Sequence, residues 1–156
     1  SGDLIAGFDL NSDRINMVII DGFGRIRDMR TEWFPEVTSP GYPGSKARAR
    51  RLEALARLLR YAYHHGVGTV VFENLLVIKR RKYTSSRVAN RKITRFARRE
   101  LLRHAIVMAM KYGFKVLLAN PRGTTNSREH EEAMRRHGLD RHMASAYLTA
   151  LRGIEK

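Results

Sequence analysis

The chain has 156 residues, a length that accommodates one domain with a substantial hydrophobic core. Its 30 lysines and arginines against 15 acidic residues give a formal net charge of +15, which is typical of proteins that bind a polyanion such as nucleic acid. The absence of cysteine excludes disulfides and cysteine-ligated zinc, and no apolar run is long enough to span a membrane. We therefore expect a cytoplasmic protein without membrane association, and the arginine-rich composition suits a thermophilic prokaryote or its mobile element.

Hydrophobic periodicity and turn signals predict the order β-β-β-α-β-α-β-α, with a short additional helix before the last one. In chain order, the predicted elements are strands Leu4–Leu10, Ile15–Ile20 and Arg25–Phe34, a helix from Ser45 to the stop signal Gly66, strand Thr69–Glu73, helix Ser86–Tyr112, strand Phe114–Ala119, and helices Arg128–His137 and Arg141–Leu151. Hairpin-linked strands followed by crossovers predict an α/β fold, a mixed sheet with helices on both faces. We expect one domain over residues 1–156, in which Ser1 and Gly2 resemble the remnant of a removed tag.

Three acidic residues lie where an acidic residue is unexpected: Asp9 within the first strand, Glu73 at the end of the fourth, and Asp140 at the start of the last helix. If the first and fourth strands are neighbours, these carboxylates converge at one edge of the sheet. Crowded carboxylates repel one another unless a cation neutralises them, and oxygen ligands favour Mg²⁺ or Mn²⁺. Two such ions can activate a water and stabilise the leaving oxygen of a phosphodiester. The pattern therefore predicts a two-ion hydrolytic site.

Each of these acids also has an ordinary structural interpretation. Asp9 can end its strand in a turn with Asn11 and Ser12. Glu73 can pair with an arginine of a neighbouring helix, and Asp140 can be a simple N-cap. These alternatives remain open at the level of sequence.

A basic segment over residues 79–103 contains a single acidic residue, Glu100. Because solvated helices normally interleave charges of both signs, this excess predicts contact with phosphates, with a solvated surface helix as the alternative. A polar loop after the fifth strand has donors that can position a phosphate, unless it is a plain connector. The predicted nucleic-acid-binding residues are Lys79, Arg80, Arg81, Lys82, Arg87, Arg91, Lys92, Arg95, Arg98, Arg99, Arg122, Thr124 and Thr125.

Two further side chains have simpler expectations. His142, one turn into the last helix, is expected to face solvent, with an approach to the metal site as the alternative. Trp33, the sole tryptophan, is expected to pack in the core or at its rim on the third strand.

Four segments together resemble one known family. GFDLN at 7–11, VVFENL at 70–75, KYGFKVLLANPRGTTNS at 111–127 and DRHMASAYLTAL at 140–151 are similar to the RuvC-like nuclease domain of TnpB-type proteins of insertion-sequence transposons, within the ribonuclease H superfamily. The resemblance implies a five-stranded sheet of order 3-2-1-4-5. It also implies that Asp9, Glu73 and Asp140 form a catalytic triad that binds divalent metal and cleaves nucleic-acid strands.

The chain departs from this family in the interval 126–139, where members usually carry a four-cysteine zinc-binding insert and this sequence has no cysteine. We therefore expect no zinc. The resemblance covers the nuclease core and does not extend to the family's guide-RNA-binding region. DNA is the favoured substrate and RNA is allowed. Two alternatives remain open: a RuvC-type Holliday junction resolvase acting as a homodimer, and a catalytically inactive nucleic-acid-binding module.

Overall fold

The computed structural model describes residues 3–76, 86–120 and 127–154, with only the backbone of 86–94 and 127. The elements, in chain order, are β1 Leu4–Leu10, β2 Arg14–Ile20, β3 Ile26–Trp33, a 3₁₀ turn Pro35–Thr38, α1 Gly44–His64, β4 Val67–Glu73, α2 Ser86–Lys111, β5 Lys115–Ala119, α3 Ser127–His137 and α4 Arg141–Arg152. All predicted strands and helices are confirmed.

The five strands form one sheet of order β3-β2-β1-β4-β5, which confirms the predicted order. β1 and β2, and β2 and β3, pair antiparallel because short turns connect them. β4 pairs parallel with both β1 and β5, because a helix lies between each of these strands along the chain. The register places Phe8 opposite Phe72, so the residues that follow them also lie side by side.

One face of the sheet packs on α1 and α2. Phe8 and Phe72 are fully buried on this face, with ring centroids 5.0 Å apart. On α2, Leu101, Leu102 and Ala105 are buried, whereas Phe96 is 63% exposed. Phe96 lies before the part of α2 that packs on the sheet. The hydrogen bonds of Arg98 and Arg99 with the chain at the ends of β1 and β4 come later in the helix.

α2 is the longest helix, with 26 residues. Even so, no helix within the described ranges combines the length and apolar character needed to cross a membrane.

The opposite face of the sheet packs on α4 through small residues. Ala146 and Ala150 of α4 are fully buried against Val18 and Val71. A Cβ atom on Gly7 would lie 2.3 Å from the carbonyl oxygen of Ala146 and 2.4 Å from the amide nitrogen of Ala150. Only glycine lets the helix come this close to β1, and the contact fixes where the first turn of α4 lies along that strand.

We expect Gly7→Ala to lower the free energy of unfolding by about 1–3 kcal/mol, because the added methyl group overlaps the α4 backbone. Urea denaturation of the wild type and the variant measures this difference. Gly22→Ala is the matched control, since a Cβ there meets nothing within 4 Å. Equal stability of the wild type and Gly7→Ala would contradict the close packing.

Candidate functional site

Two of the predicted acids lie side by side at the ends of neighbouring strands. Asp9 and Glu73 directly follow the paired residues Phe8 and Phe72 on the parallel strands β1 and β4. Their backbones are therefore about 4.8 Å apart, the usual strand spacing. Because side chains alternate along a strand and Phe8 and Phe72 face α1 and α2, both acids are on the α4 face. The predicted placement of the first and fourth strands as neighbours is confirmed.

Asp9 is buried, with 7% of its surface exposed, and is held by two polar side chains. Asn11 donates a hydrogen bond from Nδ2 to Oδ2 of Asp9 at 2.6 Å. Nδ1 of His142 lies 3.1 Å from the same oxygen and 3.2 Å from Nδ2 of Asn11. A buried carboxylate is costly unless polar partners compensate it, and these two side chains provide that compensation.

The expectation that His142 faces solvent is wrong. Its side chain is 35% exposed and contacts Asp9. The contact exists because Gly7 lets α4 lie directly on β1, which brings the first turn of the helix to the end of the strand that carries Asp9. Asn11 is the site residue that sequence reasoning missed, whereas for His142 the approach to the site was the less favoured alternative. Their spacing in the sequence could have indicated them, because Asn11 is two residues from Asp9 and His142 is two residues from Asp140.

Asp140 is the N-cap of α4. Its Oδ1 accepts a hydrogen bond from the backbone N–H of Met143 at 2.8 Å, and the residue is exposed. Asp140 therefore caps the helix, as an acidic residue at this position was expected to do. Its other carboxylate oxygen, Oδ2, is not used by this bond.

Arg14 links the acids electrostatically. It donates to both carboxylate oxygens of Asp13, from Nε at 3.2 Å and from the terminal nitrogen Nη2 at 3.0 Å. This hydrogen bonding raises the pKa of Arg14 above its usual value, against the opposing effect of burial, and the charges of Asp13, Asp140 and Asp9 raise it further. The same ion pair lowers the pKa of Asp13. Asp9 and Asp140 thus lie in the electrostatic neighbourhood of one guanidinium group.

Two arginines of the basic segment 79–103 donate hydrogen bonds to backbone carbonyl groups at the ends of the strands that carry the acids. Arg98 donates from Nε to the carbonyl oxygen of Leu10 at 2.8 Å, and Arg99 donates from Nε to that of Leu75 at 3.1 Å. Both side chains are part-buried. They stabilise the chain next to Asp9 and Glu73 and bring positive charge to the same edge of the sheet.

The structure describes the side chain of only one of the remaining predicted binding residues. Arg95 is on α2, half-buried, and makes contacts of its own. Arg87, Arg91 and Lys92 lie in the part of α2 whose side chains are not described. The other candidates, Lys79, Arg80, Arg81, Lys82, Arg122, Thr124 and Thr125, lie outside the described residues.

The carboxylate oxygens of Asp9 and Glu73 fit a hard divalent ion such as Mg²⁺ or Mn²⁺, whereas the imidazole nitrogen of His142 is a donor more typical of softer transition metals. Within residues 3–76, 86–120 and 127–154, no three Asp, Glu or His side chains are already grouped as ligands of one ion. Glu73 is half-buried and has an interaction partner. The structure therefore brings together Asp9, Asn11 and His142 in direct contact, with Glu73 on the adjoining strand.

The sequence has relatives in thermophilic archaea. SSO2105, an uncharacterized protein of Saccharolobus solfataricus, is 52% identical over 151 residues, which are 97% of this chain and 41% of that protein. Two uncharacterized proteins of Aeropyrum pernix are each 40% identical over 161 residues, covering 99% of this chain and 43% or 38% of the relative. The chain thus spans about two fifths of the length of these relatives. No protein-family model matches the sequence.

Among solved structures, the fold is similar to RuvC of Thermus thermophilus. The structure of RuvC in complex with a Holliday junction substrate matches 95% of this chain and 90% of that chain, with a TM-score of 0.64 and 18% identity. A second Thermus thermophilus RuvC structure gives the same TM-score and identity, over 95% and 91% of the two chains. With its strand order of 3-2-1-4-5, the domain has a RuvC-like, ribonuclease H-type fold.

The ion pair next to the site makes stability depend on pH. Because the folded-state pKa of Asp13 is lowered, mainly by its hydrogen bond to Arg14, its contribution is fully present above the unfolded-state pKa of about 3.9. It is lost as pH falls through the folded-state value. We expect Asp13→Asn to be less stable than the wild type at pH 7, with the difference disappearing in strong acid.

Urea denaturation at a series of pH values measures this effect. Asp3→Asn, which removes an exposed carboxylate, is the control and should change stability much less. A constant difference between Asp13→Asn and the wild type down to strongly acidic pH would contradict the proposed origin of the pKa shift.

Proposed function

We propose that this domain is a metal-dependent nuclease of the RuvC-like type, related to the transposon-encoded TnpB proteins, that hydrolyses phosphodiester bonds of DNA, with RNA as an allowed substrate. The observation that carries the proposal is the meeting of Asp9, Glu73 and the first turn of α4 at one edge of a RuvC-like sheet. The net charge of +15 supports a nucleic-acid substrate.

The proposed ligands of Mg²⁺ or Mn²⁺ are Asp9, Glu73 and one residue from the first turn of α4. By resemblance, that third residue is Asp140, whose Oδ2 is not used by the cap. The contact with Asp9 favours His142 instead. When bound, such ions lower the pKa of a water and stabilise negative charge on a phosphate, which is the chemistry that phosphodiester hydrolysis requires.

The protein's own side chains have separate tasks around this site. Asn11 fixes the orientation of the Asp9 carboxylate through its hydrogen bond. Arg98 and Arg99 hold the backbone after Asp9 and Glu73, so the two acids keep their relative position. The basic segment 79–103 binds the phosphate backbone without regard to sequence, and this binding weakens as salt rises.

A RuvC-type junction resolvase is the second candidate, because the Thermus thermophilus RuvC with the same fold is in complex with a Holliday junction substrate. A resolvase acts as a homodimer on branched DNA. A nuclease of the TnpB type cuts strands without requiring a junction. The two candidates therefore differ in which DNA is cut.

We expect Asp9→Asn to keep the fold and nucleic-acid binding but to lower cleavage at least 100-fold, because it removes the negative charge of a proposed metal ligand. Cleavage is measured with Mg²⁺ or Mn²⁺ on single-stranded, duplex and four-way-junction DNA. Asp3→Asn is the control for the same change at an exposed site. Cleavage at the wild-type rate by Asp9→Asn contradicts the proposal, and cleavage of the junction alone favours the resolvase.

Variants of the first turn of α4 distinguish the two candidates for the third ligand. Asp140→Ser keeps a helix cap but removes the carboxylate, whereas His142→Ala removes the contact with Asp9. We expect His142→Ala to lower cleavage and Mn²⁺ affinity at least 10-fold, and Asp140→Ser to change both much less.

Calorimetric titration with Mn²⁺ and the cleavage assay make this comparison. Asp140→Ala is the control for loss of the cap and should lower the free energy of unfolding by about 1 kcal/mol. A larger loss of Mn²⁺ affinity in Asp140→Ser than in His142→Ala would instead assign Asp140 as the ligand.

A further inference from the structure

Trp33, the only tryptophan of the chain, is exposed at the end of β3. It is 52% exposed, so of the two expected positions, in the core or at its rim, the structure shows the rim. The guanidinium of Arg14 lies over the indole, 4.3 Å from the ring centroid. A large aromatic ring that is half accessible and stacked with an arginine is a typical surface for a nucleic-acid base.

Arg14 is rigidly held in this position. Asp13 accepts hydrogen bonds from two of its nitrogens, which fixes the plane of the guanidinium group. Only 22% of the Arg14 side chain is exposed. The indole therefore has a fixed, positively charged support, which limits the entropy lost when another planar group stacks beside it.

The register of the sheet puts Trp33 on the same face as Asp9. Asp9 pairs with Asn16 on β2, and Asn16 pairs with Thr31 on β3 and donates to its Oγ1 at 2.9 Å. Trp33 and its partner Arg14 are each two residues further along, so alternation returns them to this face. Asp9 and Trp33 are two strand spacings apart across the sheet and two residues apart along it, which puts their backbones roughly 12 Å from each other.

We propose that Trp33, supported by Arg14, is a stacking platform for a nucleic-acid base that flanks the phosphodiester at the Asp9 edge. The inference rests on the proposed nuclease function and adds a binding site to it. The bound chemistry is the flat face of an unpaired base, because an exposed ring offers stacking and no pattern of base-specific hydrogen bonds. The platform therefore favours single-stranded or unpaired nucleotides without strong sequence preference.

Because Trp33 is the sole tryptophan, its fluorescence reports directly on the platform. The protein is titrated with a single-stranded oligonucleotide in EDTA, so that binding is measured without cleavage. We expect quenching of Trp33, and weaker quenching by an abasic oligonucleotide of equal length and charge. Anisotropy of a labelled oligonucleotide should show a loss of affinity of roughly 5- to 150-fold for Trp33→Ala, and a smaller loss for Trp33→Phe.

Phe23→Ala is the matched control. Phe23 is also exposed, at 86%, and has an arginine, Arg25, over its ring at 5.4 Å, but it lies at the other end of the β2–β3 hairpin. We expect this variant to bind like the wild type.

The outcomes separate the platform from the proposed function. Equal affinity of Trp33→Ala and the wild type, equal quenching by intact and abasic oligonucleotides, or no binding of single strands overturns the platform. If Trp33→Ala binds normally and metal-dependent cleavage persists, only the platform is overturned. If cleavage is absent but quenching and its dependence on bases are seen, the nuclease proposal fails and the platform remains.

Discussion

The close contact between α4 and β1 at Gly7 is the constraint on which the candidate site depends. A helix normally packs on a sheet at a distance set by side chains, but here the backbone of α4 lies directly on β1, because Gly7 has no side chain and Ala146 and Ala150 have small ones. This approach brings His142 within 3.1 Å of Asp9, although the two residues are 133 positions apart in the chain. The site is therefore a consequence of core packing as much as of the polar residues that line it.

The charges around Asp9 are arranged to keep a buried carboxylate stable. Asn11 and His142 satisfy Oδ2 directly, while Arg14 and Arg98 lie nearby, one paired with Asp13 and the other with the backbone of Leu10. Burial weakens the screening of each of these interactions by water. An acidic residue placed here without these partners would destabilise the fold.

The sequence was sufficient to predict the sheet and the neighbouring positions of Asp9 and Glu73. The strands and helices follow from hydrophobic periodicity and turn signals, whereas the strand order that makes β1 and β4 neighbours is what the resemblance to the RuvC-like nuclease domain implies. It was insufficient for His142, because a periodic pattern assigns a helix face but not how far the helix slides along a strand. The exposure of Trp33 depends on how much of β3 the helices cover, and alternation reveals only the face.

The positions of Arg98 and Arg99 change how the basic segment should be interpreted. A count of cations treats every arginine as available to phosphate, yet each of these two donates to a backbone carbonyl at the end of a strand. A guanidinium group has five N–H donors, so one such bond leaves others for a ligand. The same side chain can therefore brace the backbone beside an acid and add positive potential where a phosphodiester would approach. Replacing either arginine would disturb both effects together, and a loss of nucleic-acid binding in such a variant would not by itself identify a direct phosphate contact.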